Sequence, residues 1–70
     1  MEINKAISNQ NVFITLKGRL DTMTAPQLDD EAKNIDFDEV ETLTLNLKDL
    51  EYISSSGLRV ILALYKSLKS

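Results

Sequence analysis

"LTLNLKDLEYISSSGLRVIL", residues 43–62, changes its hydrophobic period partway along. Over residues 42–47, Leu43, Leu45 and Leu47 alternate with Thr42, Thr44 and Asn46. That is the two-residue period of a strand with one buried face. From Ser56 to Ser70, Leu58, Ile61, Leu62, Tyr65 and Leu68 recur every three or four positions, which predicts an amphipathic helix with those residues inward. Lys66 and Lys69 suit the negative pole at its end. Between the two elements, Lys48–Tyr52 reads as a connection, followed by three consecutive serines and one of the chain's two glycines. A parallel strand covered on both faces would be an unbroken apolar run, so the alternation predicts helices on one face of the sheet only.

Upstream, Val12, Ile14 and Leu16 share one face of a predicted strand over 12–17, with Phe13, Thr15 and Lys17 on the other. Ile3 and Ile7 give a weaker strand signal over 2–7. Ser8–Asn11 reads as a four-residue turn, making a hairpin. Gly18 is placed to break the second strand. A helix is predicted over Ala25–Lys33, with Thr24 and Gln27 as a capping box and Pro26 in the first turn. Leu28 and Ala32 form its inner face, and Asp29, Asp30 and Glu31 lie toward its positive pole. Residues 34–41 form an acidic connection from which Phe37 and Val40 dip into the core; the acids from Asp36 to Glu41 read as a solvated face. The order strand, strand, helix, strand, helix contains one right-handed crossover unit between parallel strands.

Seventy residues make a single domain at most, with a core that is marginal without staples or partners. The chain has no cysteine and no histidine, which removes disulfides, thiolates and the commonest general base and metal ligand. Eight basic and eleven acidic side chains give a net charge of −3, which is no footprint for nucleic acid. "MEINKAISNQ" lacks the pattern of a signal peptide, and no apolar stretch approaches the ~18–20 residues of a membrane span. The expectation is a soluble, cytoplasmic protein with no cofactor and no metal.

The serines are the main chemical candidate. A helix N-terminus offers free N–H groups and partial positive charge, and Ser54, Ser55 and Ser56 lie at that pole. Gly57 permits a tight turn or a close approach. The bland reading is that one serine caps the helix and the others are solvated loop. Bound nucleotide is disfavoured, because the glycine pattern and lysine of a phosphate loop are missing. A catalytic serine has no histidine to take its proton and no lysine nearby in sequence. A phosphoacceptor needs only an accessible hydroxyl and a site that tolerates the product. Asp21 follows the strand over 12–17 and should reach the same edge of the sheet as the serines. It reads either as an acid that orients the acceptor or as a turn aspartate.

"GRLDTMTAPQL" and "LTLNLKDLEYISSSGLRVIL", in this element order, resemble the STAS domain family, and among its members the bacterial anti-sigma factor antagonists. The resemblance implies a partner-switching regulator of transcription, not an enzyme. Its unphosphorylated form binds an anti-sigma factor that is also a serine kinase, and so frees the sigma factor. Phosphorylation ends the binding, and a phosphatase resets it. The resemblance maps the acceptor to Ser55, with Ser54 where the family has an acid and Asp21 on the aspartate of its "G-x-L-D". It implies a phospho-site environment and partner surface of Asp21, Thr22, Ser54, Ser56, Gly57, Leu58 and Arg59. A scaffold or assembly subunit of another signalling complex, without a phospho-switch, is the alternative. Family domains continue with further strands and helices, so the C-terminal half of the usual small mixed sheet is expected to be absent. The strand over 42–47 would then keep an open edge, through which the chain self-associates or meets another polypeptide.

Overall fold

The computed structural model describes residues 1–69. Strands β1 (Glu2–Ser8) and β2 (Asn11–Leu20) form a hairpin; α1 (Ala25–Lys33) and a 3₁₀ turn (Phe37–Glu39) lead to β3 (Thr42–Ile53) and α2 (Ser55–Lys69). The sheet order is β1-β2-β3, antiparallel across β1/β2 and parallel across β2/β3. This is the expected mixed α/β order, with β2 in the centre.

The core follows from β2. Val12, Ile14, Leu16 and Leu20 are essentially fully buried, while Phe13, Lys17 and Arg19 on the opposite face are exposed. Both helices therefore cover one face, as the alternation required. Ala25 and Leu28 of α1, Ile35 after it and Leu64 of α2 complete the core; Ala32, Phe37 and Val40 pack against it. Burying a side chain such as Leu28 contributes about 1.5–3 kcal/mol, so a few such residues carry most of the stability of a domain this small. The Lys5 ammonium, 3.2 Å from the Glu31 carboxylate, ties β1 to α1.

Five local expectations change. The hairpin turn is Asn9–Gln10, not Ser8–Asn11: Asn9 takes a left-handed conformation (φ 57°), which lets both strands pair up to the turn. Gly18 does not end β2 but lies inside it at φ 99°, at one of two irregularities in the β2/β3 ladder. There is no capping box at α1, because the Thr24 hydroxyl faces back into the preceding turn. Lys48–Tyr52 is strand, not connection. Thr15 pairs with Asn46 and Lys17 with Asp49, so Leu47 and Lys48 share the space opposite Leu16; Glu51 is a second extra residue, between the partners of Gly18 and Arg19. Each bulge shifts the in–out phase, which hid the continuation of β3 from a two-residue count.

The fifth change is the rotation of α2. Gly57 and Leu64 are buried, with Val60 and Ile61 packed on the core, whereas Leu58, Leu62 and Tyr65 are about half exposed. Contact with Leu20 sets this face. A Cβ on Gly57 would lie 2.5 Å from Leu20 Cγ and 3.0 Å from the Leu20 carbonyl oxygen. Gly57→Ala raises helix propensity by about 1 kcal/mol but forces this contact apart at a typical cost of about 1–3 kcal/mol. The expected result is a lower urea midpoint. The penalty should be smaller when measured in a Leu20→Ala background, because part of the clash is gone. Equal penalties in both backgrounds would show that the contact does not set the helix position.

Candidate functional site

The C-terminal ends of β2 and β3 are adjacent, so the loops that follow them meet at one edge. Leu20 pairs with Ile53, and the Ser54 N–H donates to the Leu20 carbonyl at 2.8 Å. Asp21 and the serine loop therefore start side by side.

The serines divide the work. Ser54 is the cap of α2: its Oγ accepts from the Gly57 N–H at 3.3 Å, and its carbonyl accepts from the Leu58 N–H at 2.9 Å. Ser55 is the first helical residue and is exposed. Ser56 is half-buried and lines a groove of about 430 Å³ between the helices with Thr22, Pro26, Asp29 and Arg59. Three hydroxyls thus have three environments: one holds the helix start, one meets solvent, and one faces the neighbouring helix. The glycine behind them lets that helix start rest on Leu20.

Asp21 organises its own loop. Its Oδ1 accepts from the backbone N–H groups of Met23 (3.0 Å) and Thr24 (3.1 Å), an Asx turn. The Thr24 hydroxyl accepts from the Asp21 N–H at 2.8 Å and donates to the Arg19 carbonyl at 2.7 Å. The Thr24 N–H, foremost, holds the Asp21 carboxyl below the ordinary aspartate range against partial burial. The Met23 N–H, the Thr24 hydroxyl and the Arg19 guanidinium add to the effect. The turn reading of Asp21 is what the geometry shows. The turn leaves Thr22 and Met23 exposed at the rim, Met23 by 82%.

Arg19, Met23 and Tyr52 were missed in the sequence. The Arg19 guanidinium lies 4.4 Å from the Tyr52 ring centroid, and its Nε is 3.9 Å from Asp21 Oδ2. The two residues are paired across β2/β3, a register visible only once Lys48–Tyr52 is strand. Arg19, Met23, Tyr52 and Leu58 are all exposed and belong to the strand ends, loop and helix start that meet at this edge, the aromatic, arginine and methionine chemistry enriched in protein contacts. Among the described residues no group of three acids forms a metal cluster, and no helix is long and apolar enough to cross a membrane.

The family model of the STAS domain matches residues 2–70, and the chain belongs to that family. Its fold is similar to that of the anti-sigma factor antagonist SpoIIAA in its unphosphorylated form, with a TM-score of 0.79 at 24% identity over 97% of this chain and 64% of that one. The phosphorylated form of SpoIIAA, a Bacillus cell fate determinant, gives the same TM-score and identity over 63% of its chain. An anti-sigma factor antagonist from Mycobacterium paratuberculosis gives a TM-score of 0.84 at 24% identity, over 96% of this chain and 57% of that one. The chain thus spans less than two thirds of the structures it matches.

Asp21 provides a test of the loop geometry. A carboxyl with a lowered folded pKa stabilises the fold above its unfolded value of about 3.9, and this is lost as pH falls through the folded value. Asp21→Ala should therefore melt several degrees below the parent at neutral pH, with the gap closing as pH drops below about 4. A gap independent of pH, in parallel melting curves, would remove the carboxylate from the account.

Proposed function

We propose that this chain is an anti-sigma factor antagonist, a phospho-switched binding module and not an enzyme. Unphosphorylated, it binds an anti-sigma factor that is also a serine kinase, frees the sigma factor and so regulates transcription. The observation that carries this reading is Ser55: an exposed hydroxyl on the first residue of α2, in a chain of the STAS family, with its helix start fixed by Ser54 and Gly57. The similarity to both forms of SpoIIAA supports it at the level of the fold.

The switch is a change of charge. The kinase transfers the γ-phosphoryl group of ATP to Ser55 Oγ; the bond to ADP breaks and the hydroxyl proton passes to a base of the kinase. The product adds about −1.5 to −2 charges at a helix pole that favours anions, so the fold accepts it. The partner surface does not. Thr22, Ser56 and Arg59 line a groove at the same helix start, Leu58 follows in the next turn, and a dianion on that surface must be desolvated for a partner to dock. A phosphatase restores the binding form. Asp21 supports this surface by holding Thr22 and Met23 in place. Ser54 serves as cap where family members carry an acid.

The exposed apolar flank of α2 favours a second reading, a STAS scaffold or assembly subunit without a phospho-switch. Incubation with ATP and a serine-kinase anti-sigma factor separates the two. The expected product carries one phosphate by intact mass, and peptide mapping places it on Ser55. Ser55→Ala should bind the kinase and resist release, and Ser55→Asp should bind at least roughly tenfold more weakly, about 1.4 kcal/mol. A phosphate mapped to Ser56 would overturn the assignment of the acceptor. Tight binding with no phosphate on any serine would favour the scaffold.

A further inference from the structure

Ser55 has a cation one helical turn behind it. Of the eight basic residues in the chain, four are already engaged: Lys5, Lys17, Arg19 and Lys33 each pair with a carboxylate, and Arg19 also lies over the Tyr52 ring. Arg59 is exposed in the second turn of α2 and has no such partner among the described residues. Asp29, the one acid in the groove that Arg59 lines, is paired with Lys33 at 3.2 Å. The guanidinium is therefore available.

Helical geometry places it. At 3.6 residues per turn, Arg59 lies about 40° around the helix from Ser55 and about 60° from Ser56. It stands between the exposed acceptor and the groove that Ser56, Val60 and Ala63 line. Helical side chains lean toward the N-terminus, so residue i+4 covers residue i. An anion four residues before a cation is the favoured order of such a pair. The helix start itself has few donors to spare. Ser54 takes the Gly57 N–H on its hydroxyl and the Leu58 N–H on its carbonyl, which leaves the Ser55 and Ser56 N–H groups of the first turn. A phosphoryl group presents three strong acceptor oxygens, and a guanidinium can meet two of them at once.

We propose that Arg59 is the internal counter-ion of the phosphorylated chain: its guanidinium leaves the rim of the groove and pairs with the phosphate on Ser55, one turn before it. The inference rests on the reading of Ser55 as the acceptor, and the pairing is set by the first two turns of α2 alone. Arg59 is the one basic residue lining the groove. Phosphorylation then changes two adjoining patches through one side chain: the acceptor gains an anion that is partly neutralised, and the groove gives up its cation.

The chain made with phosphoserine installed at position 55 during synthesis tests this without a kinase. Titration of its phosphorus resonance should place the second ionisation below the ordinary value of about 6. Arg59→Gln should raise that midpoint by about 0.2–0.4 of a pH unit, the size expected of an exposed i,i+4 pair. Arg59→Lys should keep part of the effect, since it has the charge without the planar fork. Lys66→Gln, about 16 Å from Ser55 along the helix axis, should leave the midpoint unchanged. Arg59 and Lys66 are exposed, so all the variants should share one circular dichroism spectrum. Equal midpoints in the parent and Arg59→Gln would overturn the proposal. So would an equal rise from Lys66→Gln, which would mark a diffuse field in place of a pair. Whether a kinase modifies Ser55 is read separately, by intact mass and peptide mapping, so the proposed function and the pairing can fail independently.

Discussion

The contact between Gly57 and Leu20 governs the rest of the structure. Leu20 ends β2 at full burial, and its side chain occupies the place a Cβ at position 57 would need. The Leu20 carbonyl takes the Ser54 N–H, so the same residue fixes the loop before α2 and the first turn of α2. From this anchor the other features follow. The helix lies with Leu64 inward, Ser55 is left at its exposed start, and Leu58 and Leu62 are turned to solvent. A bulkier residue at 57 would lift the helix and rotate these residues together.

Much of this was readable in the residues. Pro26 and the apolar spacing of Leu28 and Ala32 placed α1 at Ala25–Lys33, and the alternation of Val12, Ile14 and Leu16 identified the inner face of β2. The length of β3 was not readable. A bulge inserts one residue and reverses the phase, so Lys48–Tyr52 shows no sustained alternation although it is paired to β2. The buried face of α2 was also hidden. Apolar residues occupy two adjacent stripes of that helix, Val60, Ile61 and Leu64 on one and Leu58, Leu62 and Tyr65 on the other. Helical period cannot choose between them; a glycine with a leucine against it can.

At the site, the sequence identified the right segment but not the role of each member. That Ser54 caps and Ser55 is exposed depends on where the helix begins, one residue earlier than the apolar period indicated. Thr24 and Gln27 have the residue types of a capping box, yet Asp21 competes for the same donor and the Thr24 hydroxyl turns toward Arg19. Local pattern describes what a hydroxyl can do; neighbours two to five residues away decide what it does. Arg19 and Tyr52 are a more distant example, since their stacking exists only through the register of two strands.

The double hold of Leu20 has a mechanical consequence. Sheet end and helix start are locked to one core residue, so the serine pole moves as part of the rigid interior and has no hinge of its own. A charge added to such a surface acts through its field. Fields between exposed charges fade beyond about 8 Å at physiological ionic strength. The influence of a charge placed at such a pole is therefore short-ranged, felt by a molecule already touching it, and its strength depends on the salt around it.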